Sequence, residues 1–364
     1  MDSIPSDLIN EIFSRLPAKS IARFHCLSKL WCAMFYSPYF TELFLTRSSA
    51  RPRLLFAVEG KDAWRFFSLP QPHNSYKNSP SLEVASKMAS SSYRGILRGY
   101  ASGLICFRKT QGDEDTVVCN PITGQHAILP RVRKVSSSRP LLGFDPIDKQ
   151  YKVLSIERGG RYRIMTLETG NMSWRKIQYP AKHNILREGI CINGVLYYLA
   201  YTYDDTSSVK IVCFDVRSEK FKVIDTCVYE WPRRLININY KGKFGWTDLE
   251  YDSAKEAYKL YMWVLEDVEK QEISKYVYTF PDDIKVKRCL MVVGATATGE
   301  IVLSSTYRTY KPFYVLYFNP KRNTLQTVEI QGIYAPSMKN KPKPQHQEYG
   351  AGMNREKKRR ERNE

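Results

Sequence analysis

Two hydrophobic periods divide this chain. The first is helical. Leu8, Ile9, Ile12, Phe13 and Leu16 fall on one face of a helix. Pro5 suits its first turn, where a missing N–H is no loss, and Ser6 or Asp7 can supply an oxygen to the free amides there. Leu16-Pro17 stops it, because proline disfavours helical geometry in the residue before it. Ala18 to Leu27 then carries Ile21, Phe24 and Leu27 on a second face. Ser28 caps a third turn with Leu30, Trp31, Met34 and Phe35, which Ser37-Pro38 ends. The expectation is three short helices with more apolar surface than about 45 residues bury without a partner. Either they pack on the rest of the chain, or another protein covers them; the pattern alone leaves both open.

The second period belongs to strands. From Arg51 to Ile330 short apolar runs alternate with turn residues. Val117 to Gly124 leads through a polar turn into His126 to Leu129. Arg163 to Gly170 leads likewise into Ser173 to Ile177, Ile211 to Glu219 into Phe221 to Ile224, and Tyr314 to Asn323 into Leu325 to Val328. Tyr261 to Lys270, leading to Ile273, is a weaker copy. The copies recur about every 46 to 53 residues, and a strand such as 103–107, 194–199 or 299–303 precedes several of them. Phe144 to Val153 also parallels Tyr251 to Leu260 without a gap, 107 residues later, which reads as two periods. About four strands per repeat of about 50 residues is the sequence form of a β-propeller, here with five or six blades. A large β-sandwich is the competing architecture, but a sandwich needs no fixed period.

Composition changes this picture at one end. The net charge is +19, and 336–364 holds nine Lys or Arg against four Glu in a Pro-, Lys- and Gln-rich segment without periodic apolar residues. Such a segment cannot offset its ordering entropy by burial, so a disordered basic tail is expected there. Its run from Arg355 to Arg362 reads either as an import signal or phosphate-binding patch or as a solvated end. No stretch approaches the length and hydropathy of a membrane span, and no secretory signal opens the chain, so nucleus and/or cytoplasm is the expected location.

The order of residues within the helical stretch adds a resemblance. Ile4-Pro5, Asp7-Leu8, Ile9-Asn10-Glu11-Ile12, Arg15-Leu16-Pro17, Lys19-Ser20, Arg23-Phe24 and Ser28-Lys29-Leu30-Trp31 resemble the plant form of the F-box along its whole length. His25 departs from it, standing where that pattern has Lys or Arg. The strand region resembles a kelch-like, type 3 F-box-associated domain in Arg51 to Phe56, Val118 to Gly124, Leu142 to Pro146, Ile192 to Tyr198 and Val212 to Arg217. The fold class expected is mainly β with a small α N-terminal module: an F-box over 1–46, an F-box-associated β-propeller over 47–335, and the tail over 336–364. The resemblance implies a substrate-recognition subunit of a Skp–cullin–F-box ubiquitin ligase. Its F-box would dock on a Skp-type adaptor, and through it on a cullin scaffold, by Ile4, Pro5, Leu8, Ile12, Leu16, Pro17, Leu27 and Trp31. Phe13, Phe24 and Phe35 would form the module's own core.

Chemistry of the chain's own is not indicated. No phosphate loop, dinucleotide fingerprint, nucleophile elbow or HExxH occurs, and the five His stand at no ligand spacing from Cys or carboxylates. The eight Cys form no CxxC pair, and they read as reduced thiols. Asp145, Asp148 and Asp215 sit beside turns, where Asp commonly bonds its own backbone. A non-enzyme without cofactor or metal is therefore expected. For the unknown target protein, Trp231, Arg233, Arg234, Tyr307, Arg308 and Tyr310 are the candidate contacts, since interfaces favour Trp, Tyr and Arg. The alternative function is a basic, Tyr-rich propeller that binds nucleic acid or another polyanion, with the helices structural. The absence of a basic cluster outside the tail disfavours it.

Overall fold

The computed structural model describes residues 5–50, 53–59, 64–70, 83–88, 95–109, 115–131, 138–157, 161–167, 172–179, 183–202, 208–226, 235–281, 290–305 and 313–330. The tail expected over 336–364 lies outside them. Helices come first: α1 (Ser6–Phe13), α2 (Ala18–Phe24), α3 (Lys29–Phe35) and α4 (Pro38–Ser49). Among the described residues, strands follow in six antiparallel sheets. The first sheet holds β1 (Arg53–Glu59), β2 (Trp64–Pro70) and β3 (Glu83–Met88). The second holds β4 (Gly95–Ala101), β5 (Leu104–Lys109), β6 (Thr116–Cys119) and β7 (His126–Ile128). The third holds β8 (Ser138–Asp145), β9 (Gln150–Glu157), β10 (Arg161–Leu167) and β11 (Arg175–Ile177). In the fourth, β12 (His183–Ile185) and β13 (Ile190–Ile192) both pair with β14 (Val195–Thr202), which β15 (Lys210–Asp215) and β16 (Phe221–Asp225) follow. The fifth holds β17 (Ile236–Tyr240), β18 (Lys243–Asp252), β19 (Ala257–Asp267) and β20 (Glu272–Pro281). The sixth holds β21 (Leu290–Ala295), β22 (Ile301–Ser305), β23 (Phe313–Asn319) and β24 (Thr324–Ile330).

Two turn chemistries make these sheets. The tight turns Ser102-Gly103, Asn193-Gly194 and Lys241-Gly242 have both central residues at positive φ, which matches the right-handed twist of the strands they join. The wider turns share a different device. Asn120, Asp145, Asp215, Asp252, Asp267 and Asn319 each accept a backbone N–H two or three residues on. Four residues after each stands a residue at positive φ: Gly124, Lys149, Glu219, Glu256, Gln271 and Asn323. The short polar side chain thus replaces bonds the turn cannot make within itself. Asp145 and Asp215 thus bond their own turns, whereas Asp148, expected to do the same, is paired with Arg217.

Side-chain packing joins the sheets into a ring. Trp64 and Phe66 of the first sheet meet Ile105, Phe107 and Cys119 of the second. Cys106 and Val118 of the second meet Leu142, Val153 and Met165 of the third. Leu154 and Ile164 meet Leu196 and Phe214 of the fourth, whose Leu199 and Ile211 meet Phe244 and Trp246 of the fifth. Leu260 and Met262 meet Leu303 and Phe318 of the sixth, and Val315 and Tyr317 return to Phe67 of the first. A sandwich has no such closure. The architecture is a β-propeller of five full blades, with the three-stranded first sheet lodged between the last and the first of them. Each sheet uses consecutive strands, so the chain ends share none among the described residues, and closure rests on side chains.

One expectation needs correction. The echo between 144–153 and 251–260 does not mark equivalent blade positions. Its first copy joins the first and second strands of a blade, β8 and β9, and its second joins the second and third, β18 and β19. The likeness comes from the shared Asp turn.

Candidate functional site

The helices form a core of their own. Phe13, Phe35 and Phe40 are buried, and Ile9, Leu16, Ile21, Phe24, Trp31, Met34 and Phe44 pack against them. Phe13 lies at its centre, with ring centroids 5.1 Å from Phe24, 5.2 Å from Trp31 and 5.1 Å from Phe35, all edge-on. Phe40, which completes this core, sits on the fourth helix, whereas the sequence reading expected three. Ser37-Pro38 does end α3, but it also starts α4. Ser37 Oγ accepts from the Phe40 amide at 3.2 Å, and Pro38 occupies the first turn. At α1, neither Ser6 nor Asp7 caps: the cap position is Pro5, with no side-chain bond, and Asp7 lies in the first turn. Ser28 holds the cap position of α3, also without a side-chain bond.

What this core leaves outside is the candidate docking face. Leu8 and Ile12 are 54% exposed, one helical turn apart on α1, and Leu27 and Leu30 are 69% and 74% exposed around the start of α3. Pro5 and Pro17 are exposed as well, and Ile4 lies outside the described residues. Leu16 and Trp31 belong to a different class. Both are half-buried against the aromatic core, so their apolar character is already used within the module. Tyr36, Tyr39 and Leu45 add exposed apolar surface that the sequence reading missed. The helical period could have found Leu45 once α4 was recognised; nothing in the sequence pointed to Tyr36.

A charged clasp holds the last helix to the first. The Glu11 carboxylate accepts from Arg15 at 2.7 Å and from Arg47 of α4 at 2.5 Å. These hydrogen bonds, Arg15 first and then Arg47, hold its carboxyl below the usual glutamate value. Glu11 thereby ties α4 to the helix that presents Leu8 and Ile12.

The propeller offers less. Trp231, Arg233, Arg234, Tyr307, Arg308 and Tyr310 all lie outside the described residues. Many described cations are drawn into pairs: Lys109 and Arg131 on Asp115, Lys152 and Arg175 on Glu219, Lys222 on Glu269, and Lys243 on Glu266. Such pairs break up the positive surface that a polyanion groove requires. Buried His183 lies between two tyrosines, with Nδ1 3.0 Å from Tyr162 Oη and Nε2 3.0 Å from Tyr198 Oη, and belongs to the packing of the third and fourth sheets. Among the described residues, no group of three or more His, Cys, Asp or Glu is placed to hold a metal ion. No described helix is long and apolar enough to cross a membrane.

Comparison with known proteins matches both regions. Residues 1–43 match the F-box domain, and residues 53–352 match the F-box associated beta propeller domain, which extends into the segment expected as tail. The chain is 50% identical over 351 residues to the F-box protein At3g57590 of Arabidopsis thaliana, covering 92% of this chain and 86% of that one. It is 50% identical over 346 residues to the putative F-box protein At5g42430 of the same plant, with 91% and 87% covered. A third Arabidopsis relative, the F-box protein At2g15640, is 46% identical over 383 residues, with 91% and 89% covered.

Proposed function

Because the chain belongs to the F-box proteins that carry an F-box associated β-propeller domain, we propose that it is the target-binding subunit of a Skp–cullin–F-box ubiquitin ligase. The observation that carries this reading is the exposed apolar set Leu8, Ile12, Leu27 and Leu30 on helices whose own core is already complete. Surface of this kind, at i and i+4 on one helix, fits a partner's apolar groove. The proposed adaptor contacts are Leu8, Ile12 and Leu27 with Pro5, Pro17 and Ile4; the exposed parts of Leu16 and Trp31 complete the set. The propeller would hold the target near a recruited ubiquitin-conjugating enzyme, through loops that include Trp231, Arg233, Arg234, Tyr307, Arg308 and Tyr310. The chain would carry out no chemistry itself. Its contribution would be proximity, a raised effective concentration of target lysines. Action in nucleus and/or cytoplasm follows from that role.

Target capture tests this reading. A full-length Leu8→Asp, Ile12→Asp chain expressed in plant cells should still bind its target, and the target should accumulate on it because ubiquitination has been cut off. Equal recovery of every bound protein on the wild-type and variant chains would contradict the proposal.

A further inference from the structure

The cysteines divide sharply between the two regions. In the propeller, burial pushes Cys106, Cys119 and Cys213 up to about 12, and Cys191 is raised for the same reason. Those thiols are protonated and inert. The remaining described cysteines lie in the N-terminal module, Cys26 in the turn after α2 and Cys32 on α3, and both reach the surface. They differ from each other in what they face. Cys26 is exposed, and its thiol points to the Ala22 carbonyl at 3.9 Å. Cys32 is half-buried, with Sγ 3.4 Å from Nε2 of His25. The Tyr36 ring stands edge-on to that imidazole, centroids 5.0 Å apart. His25, Cys26, Ser28, Lys29 and Cys32 line one shallow pocket open to solvent.

We propose that Cys32 is a reactive thiol, primed by His25, that is oxidised by small peroxides entering this pocket. A half-buried thiol beside an imidazole, in a pocket open to solvent, is the arrangement in which a base takes the S–H proton as the sulfur attacks. With the ring proton on Nδ1, His25 Nε2 accepts the Cys32 S–H proton. With hydrogen peroxide as the oxidant, the thiolate then attacks one of its oxygens. An S–O bond forms, the O–O bond breaks, and the departing hydroxide takes the proton held on the imidazole and leaves as water. Sulfur is oxidised by two electrons to the sulfenic acid, and the peroxide is reduced. Cys26, in the same pocket and more exposed, serves as the built-in control.

The test uses the folded full-length chain, limiting hydrogen peroxide and dimedone as the trap for sulfenic acid, with adducts at both cysteines followed by mass spectrometry. Cys32 should be labelled about a hundredfold faster than Cys26, the lower end of what a positioned general base contributes. His25→Phe keeps a ring beside Tyr36 and removes both nitrogens; His25→Gln keeps a polar group without the base. Either should bring the Cys32 rate to that of Cys26 or below while leaving Cys26 unchanged. Labelling of Cys26 as fast as Cys32 in the wild-type chain would overturn the proposal without any variant. An unaltered Cys32 rate in His25→Phe would overturn it as well.

Discussion

Among the described residues, fifteen large hydrophobic side chains are left exposed, and seven of them belong to the helices of residues 5–50, while the whole propeller accounts for the other eight. The propeller's eight are scattered over several blades, whereas Leu8 and Ile12 lie one turn apart on α1, Leu27 in the turn before α3 and Leu30 on α3. Ring closure explains the difference. Every sheet of the propeller has a neighbour on each side, so each apolar face finds a partner within the chain. The helices have one small aromatic core, and among the described residues Leu8, Ile12, Leu27 and Leu30 stay exposed beyond it. Isolated exposed apolar residues are normal; a cluster on a small module is a docking signal.

That contrast can be broken by mutation. Trp246→Ala removes a fully buried ring between the fourth and fifth sheets and should cost about 3–5 kcal/mol of stability in denaturant unfolding. Gly143→Ala comes next. A β-carbon there would stand 2.7 Å from Val216 Cγ2, where two blades touch, and the overpacking should cost about 1–3 kcal/mol by the same measurement. Leu30→Ser changes a large apolar residue on the exposed helical face and should shift stability by no more than about 0.5 kcal/mol. A loss comparable to that of Trp246→Ala would mean that the face is covered within the chain. The smallest effect is a pH dependence. Glu11 is held below its ordinary 4.5, so its contribution is present above that value and is lost as pH falls through the lowered one. Glu11→Gln should remove this part of the acid sensitivity of the helical circular dichroism signal.

The sequence shows much of this, for identifiable reasons. Helical spacing located α1 to α3, and hairpin turns located most strands, because Gly and Asx residues carry local backbone requirements that do not depend on tertiary context. The same locality explains the misplaced echo: one Asp turn serves different strand pairs, so turn chemistry does not number strands within a blade. Ser37-Pro38 hid α4 because one dipeptide can close a helix and open the next. On the docking face, spacing identified Leu8, Ile12, Leu16 and Trp31 as apolar positions but could not divide them. Leu16 and Trp31 turn toward Phe13 while Leu8 and Ile12 do not, and only packing decides that. The His25–Cys32 pair was equally hidden, since a turn between two helices, not a motif spacing, brings the groups together.

The central claim is that the exposed helical face is a docking surface and not part of the fold's own core. Binding of the purified full-length chain to a plant Skp-type adaptor, measured alongside its thermal unfolding, tests it most directly. Wild-type protein should bind, and the Leu8→Asp, Ile12→Asp chain should lose binding while its unfolding midpoint stays where it was. Undiminished binding by that variant would contradict the account.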